Sequence, residues 1–172
     1  GAWSTGLAAG RSYVSDGFAH ALEFAVNGNT PGFGDVRLPV PGKVVVRARV
    51  AFAVEQPFSL AQGGRTTPEL ERWVGDTVTA HGPIPRETVH GGMRRVEIVL
   101  NGVVRASREI AADGASHVVE FELGIDRSGW VALRQFPQLH TNPVNVLVGD
   151  RPIRASKASA WWCAETIRQL WR

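Results

Sequence analysis

The sequence predicts a mainly β protein: an antiparallel β-sandwich, Ig-like or jelly-roll-like. A short helix in a long insertion and a helix at the C-terminus complete it. Three observations predict this. Apolar residues alternate with a period of two over Lys43–Val54 and again over His117–Leu123, the pattern of a strand with one buried face. Asn101-Gly102 sits between two β-rich runs, a turn pair that tolerates the positive φ a tight hairpin needs. Other turn signals recur at short intervals, including Asn27-Gly28, Pro41-Gly42 and Asp113-Gly114. About nine strands so spaced fit a sandwich.

The elements follow in order. Ala2–Gly10 holds helix formers ended by a glycine, as in the last turns of a capped helix. From His20 to Val26, Leu22, Phe24 and Val26 alternate with Ala21, Glu23 and Ala25. Val36, Leu38 and Val40 alternate again before Pro41-Gly42 breaks the run. In Lys43–Val54 the residues Val44, Val46, Ala48, Val50, Phe52 and Val54 share one face, and Arg47 and Arg49 the other. The sheet is therefore buried on one side and wetter on the other.

Residues 55–92 break the pattern. Four prolines and two Gly-Gly pairs fall there. Thr67-Pro68-Glu69 offers a helix cap, a proline at the first helical position and an early acid. The stretch reads as an insertion carrying one short helix, of a length often tied to function. Arg94–Leu100, Val103–Ile110, His117–Leu123, Gly129–Phe136 and Val144–Val148 read as strands. Residues 156–170 read as a helix, with Ala160, Cys163, Ile167 and Leu170 spaced by three, four and three. Its apolar face is expected to pack across one sheet or its edge.

Bulk properties exclude several functions. A chain of 172 residues is large enough for one domain with a real core. Net charge is +3, and basic residues are scattered, so no clustered nucleic-acid footprint is present. Arginine outnumbers lysine 17 to 2, which with abundant Ala, Gly and Val suggests a GC-rich genome. Cys163 is the only cysteine. No internal disulfide and no cysteine-based zinc cluster can form, and the compartment is left open. No apolar run approaches the roughly 20 residues of a membrane-spanning helix. Gly1 in place of Met fits a fragment.

Two stretches carry a resemblance to a known family. Trp3–Gly17 reads WSTGLAAGRSYVSDG, and Ser128–Pro152 reads SGWVALRQFPQLHTNPVNVLVGDRP. With the hairpin VEIVLNGVV at Val96–Val104, they resemble the carboxy-terminal part of CehA/McbA-type metallohydrolases of the PHP superfamily. In that family a metal-dependent hydrolase barrel ends in a helix, a glycine, an arginine, a Ser or Thr and an aromatic residue, then leads into a β-sandwich. The resemblance implies that residues 1–17 are a remnant of a preceding domain or a linker. Residues 18–172 would be a single β-sandwich domain.

The family's metal motifs are His-x-His and a late Asp-x-His. Neither occurs here, and His20, His81, His90, His117 and His140 stand singly. The resemblance thus implies a non-catalytic accessory domain of a larger bacterial hydrolase, structural or shaping the mouth of its site. Its partner would be the preceding hydrolase domain, with no cofactor and no catalytic residue of its own.

Four residues stand as candidate ligand contacts. His140 precedes Thr141-Asn142-Pro143; it is read as a turn residue bonding backbone, against ligand or general base. Asn142 precedes a proline, is held extended and caps that turn. Arg134 shares a strand face with Trp130 and Ala132 and needs a partner, for which Asp16, Glu23 or a C-terminal carbonyl would serve; an anion site is the sharper reading. Trp73, in the insertion, is the candidate for an exposed stacking residue. Two alternatives to the accessory domain follow: a free-standing module binding a carbohydrate or other ligand, and an independent hydrolase using His140 with Asp16 or Asp150.

Overall fold

The computed structural model describes residues 1–57 and 88–171. The expected helix near Thr67–Val74, and with it Trp73, lies outside the described residues. The elements in order are α1 (Ala2–Ala8), β1 (Tyr13–Ser15), β2 (Ala19–Val26), β3 (Val36–Leu38), β4 (Gly42–Phe52), β5 (Glu55–Pro57), β6 (Thr88–His90), β7 (Met93–Leu100), β8 (Val103–Ala111), β9 (Ser116–Ile125), β10 (Gly129–Gln135), β11 (Leu139–Thr141), β12 (Val144–Val148) and α2 (Lys157–Leu170). The protein is mainly β, with antiparallel sheets, as the alternation requires.

Strands β2, β4 and β9 form one sheet, with β4 central. The second sheet has seven strands. Its β10 pairs with β7 and with both β11 and β12; β8, β1 and β3 extend it. All pairs in these sheets are antiparallel except β12–β3, which is parallel. The core lies between the sheets. Val44, Val46, Ala48, Val50 and Phe52 of β4 are buried, as are Val119, Phe121 and Leu123 of β9. From the other side come Val96, Ile98, Val131, Leu133, Val144 and Val146. Each such aliphatic side chain contributes about 1.5–3 kcal/mol when fully removed from water.

The β7–β8 hairpin turns at Asn101 (φ 51°) and Gly102 (φ 86°). Both residues take positive φ, which explains the Asn-Gly pair. Strand β8 is mostly exposed along its length and carries Arg105 and Arg108, charges that discourage edge-to-edge pairing.

Several expectations change. Leu22 does not join Phe24 and Val26 in the core but is 51% exposed. A register shift between Ala21 and Glu23 inserts one residue in β2, and a bulge of this kind switches the side on which the following residues point. His140 and Thr141 lie in β11, not in a turn; the chain reverses earlier, at Phe136–Gln138. The reason is that β11 is claimed on both sides, by β1 and β10. The ends of the insertion pair as β5 and β6, with Pro57 opposite Thr88.

The C-terminal helix forms where periodicity placed it. Ser156 caps it, its hydroxyl accepting from the Ser159 amide at 3.1 Å. It does not pack across a sheet, however: none of its residues is buried. Ile167, Leu170 and Trp171 are 62%, 83% and 90% exposed. No helix of the described residues is long and apolar enough to cross a membrane.

Candidate functional site

Among the described residues, two places gather polar and aromatic side chains. One is the junction where residues 9–16 enter the seven-stranded sheet. The other is a groove beside it, over the outer face of β2 and β4.

At the junction, α1 gives way to Gly10 with φ +75°. The chain then pairs with β11, Val14 opposite His140. Asn142 locks this entry. Its side-chain amide donates to the Gly10 carbonyl at 2.9 Å and to Ser12 Oγ at 3.0 Å. Its backbone amide donates to the Ser12 carbonyl at 3.2 Å. From the opposite side the Thr30–Gly34 loop closes on the helix end. Gly32 has φ +76°, and a Cβ there would sit 2.1 Å from the Ala9 carbonyl oxygen. Only glycine fits, for both reasons. Arg11 donates from Nε to the Gly32 carbonyl at 3.4 Å. Its guanidinium lies 4.0 Å above the Phe33 ring centre, a cation–π contact.

The groove has a volume of about 1020 Å³. Arg11, Tyr13, Leu22, Phe33, Arg47 and Glu120 line it. Phe33 is 64% exposed. Tyr13 Oη lies 3.1 Å from His20 Nδ1, which fixes the phenol at the rim. Arg47 and Glu120 stand opposite each other in the β4–β9 register. The outward bulge of Leu22 places an aliphatic side chain among these charges. The groove therefore offers an aromatic ring, an aliphatic side chain and fixed charges of both signs.

Of the candidates read from the sequence, Arg134, His140 and Asn142 lie among the described residues, and each has a different partner. Arg134 is tied to Glu97, not to Asp16 or Glu23: Nε donates to Oε2 at 2.6 Å. His140 is exposed, and its Nδ1 lies 2.7 Å from the Thr141 carbonyl, so Nδ1 is the donor. Arg134 and His140 are paired across β10 and β11, but each side chain already has its partner. Asn142 serves the junction. Of the residues offered for an independent hydrolase, Asp16 accepts from the Phe18 amide at 2.8 Å and from Gln138 Nε2 at 2.9 Å. Asp150 is ion-paired with Arg37. Each of His140, Asp16 and Asp150 is thus engaged with a partner outside that set. Among the described residues, no group of three or more His, Cys, Asp or Glu side chains is placed to hold a metal ion.

Sequence reading missed the groove because its residues come from stretches distant in sequence. It also missed Arg94, which lies on the core-facing side of β7 and is 4% exposed. Its guanidinium donates to the Met93 carbonyl at 3.1 Å and the Gly91 carbonyl at 3.2 Å. Burial pushes its pKa below the ordinary arginine value. A further buried network holds the base of the insertion. Gln138 Nε2 donates to Gln56 Oε1 at 3.0 Å, and Gln56 Nε2 to the Ala53 carbonyl at 3.1 Å. The chain matches no protein-family model and no curated protein.

Proposed function

We propose that this chain is a non-catalytic accessory β-sandwich of a larger bacterial metal-dependent hydrolase, held to the preceding catalytic domain through α1. The observation that carries this reading is the clamped junction. Asn142 holds the entry segment at Gly10 and Ser12, while Gly32 closes on it at Ala9 and accepts from Arg11. A domain whose work is to hold position needs a stiff connection, not a flexible linker. Beyond that connection α1 presents Trp3, 79% exposed, and Leu7, 44% exposed, one helical turn apart. They suit contact with a neighbouring domain. The resemblance of Trp3–Gly17 and Ser128–Pro152 to CehA/McbA-type metallohydrolases points to the same partner.

The whole gene product and this chain alone are to be compared. Metal-dependent hydrolysis with stoichiometric metal in the whole product, and neither in this chain, is the expected result. Stoichiometric zinc, iron or manganese held by this chain alone, or hydrolysis by it, overturns the reading. So does a reading frame without an upstream His-x-His.

The groove favours a second reading, a module that binds a carbohydrate. Its rim aromatics and mixed charges suit a ligand with apolar faces and many hydroxyls. Glycan screening of the wild-type chain and of Phe33→Ala tests it. Binding lost in the variant with an unchanged melting temperature supports the module; no binding across the screen removes it.

A further inference from the structure

The C-terminal helix carries an apolar stripe with the spacing of a helix–helix seam. Ala160, Cys163, Ile167 and Leu170 follow at intervals of three, four and three. All four are exposed. This is the a/d pattern of a two-helix contact. The charges lie elsewhere on the helix. Arg168 pairs with Glu165 at 2.5 Å and lies 5.6 Å from the Trp161 ring centre. At about 100° per residue, Trp161 and Trp162 project well away from the stripe. A helix lying flat on a membrane gathers its apolar bulk on one face, and this one does not.

The stripe is graded in size. Its first half is small, Ala160 and Cys163 with Ala164 beside them. Its second half is large, Ile167 and Leu170 with Trp171 beside them. Two copies running antiparallel lay the small half of each on the large half of the other. Ala160 then meets Leu170 of the second copy, and Cys163 meets Ile167. A two-fold axis repeats both layers with the roles exchanged, as a self-complementary interface requires. A parallel pair would set small on small and large on large, leaving a gap at one end and crowding at the other. No charged side chain stands in these layers, so self-pairing sets no like charges face to face.

We propose that α2 is a homodimerisation element that pairs antiparallel with α2 of a second copy of this chain. Two helices of this length touch along about 21 Å. The buried area falls below the roughly 1,200 Å² of standard interfaces. The association is therefore expected to be weak and concentration-dependent.

The test is sedimentation of the full chain between about 5 μM and 1 mM, with three samples. Wild type is expected to shift from monomer to dimer across that range. Ile167→Glu and Cys163→Lys alone are expected to remain monomeric with unchanged far-UV spectra and melting temperatures, because both side chains are exposed in the single chain. An equimolar mixture of the two variants is expected to dimerise again. Only an antiparallel pair sets the introduced carboxylate of one variant against the introduced ammonium of the other. A wild-type chain that stays monomeric at the top of that range overturns the proposal; binding to anionic vesicles by that monomer would assign α2 to membranes instead. A dimer indifferent to Ile167→Glu places the interface elsewhere, and a mixture that stays monomeric rejects the antiparallel register.

Discussion

Arg134 and Glu97 stand directly opposite each other across β10 and β7, and their side chains meet at 2.6 Å. The Arg134 side chain is 32% exposed and that of Glu97 17%. The pair lies between a surface ion pair, which contributes about 0–1 kcal/mol, and a fully buried one, whose breaking costs about 3–5 kcal/mol. Arg134→Ala is therefore expected to lower unfolding free energy by about 1–2 kcal/mol. Urea denaturation of the two single variants and of Arg134→Ala with Glu97→Ala checks this. The double variant should cost less than the sum of the singles.

Asn142→Ala removes the two side-chain hydrogen bonds to Gly10 and Ser12. A loss of about 1–2 kcal/mol is expected. The more telling readout is local: amide exchange of residues 9–13 should quicken far more than that of β4. Uniform protection across both segments would mean that Asn142 is not what holds the junction.

Gly32→Ala combines a positive φ with a backbone clash at Ala9. We expect a loss of at least about 1–3 kcal/mol, with quickened exchange at the end of α1. Gly28→Ala shares the positive φ but meets nothing within 4 Å, and should cost less. Equal losses for the two variants would show that strain alone, and not contact with α1, sets the requirement for glycine.

The Asp113 carboxyl lies below its ordinary pKa because His117 bonds it at 2.8 Å and the Ala115 amide at 2.9 Å. A depressed carboxylate stabilises the fold above its unfolded-state pKa, and that contribution is lost as pH falls through the folded value. The loss therefore belongs below about pH 4. Asp113→Asn should flatten part of the acid limb of a melting-temperature profile and leave its slope above about pH 6 alone. An unchanged acid limb would remove Asp113 from the acid response.

Periodicity made the central sheet legible. Lys43–Val54 and His117–Leu123 alternate because β4 and β9 present one face to the core. Asn101-Gly102 and Ser156 announce their turn and cap through local chemistry, which needs no knowledge of the rest of the chain. What stayed hidden depends on distant partners. The bulge that turns Leu22 outward is a register event between β2 and β4. The parallel pairing of β3 with β12 joins residues 36–38 to 146–148. The partner of Arg134 is 37 positions away. The amphipathic spacing of α2 showed that it has a face to cover, but not that its own sandwich leaves that face bare. The groove needed the junction, the bulge and the Thr30–Gly34 loop to come together, and no single stretch records that.

The short β5–β6 stem has a consequence for protein engineering. Pro57 and Thr88 are paired residues, so the backbone leaves the sandwich and returns to it at one doorway. Gln56, just inside, is fastened by Gln138, which makes the doorposts firm. The two ends of the stretch 58–87 therefore meet at paired positions on a firm frame, which is what a mounting point needs. A foreign peptide could be mounted there on a rigid base.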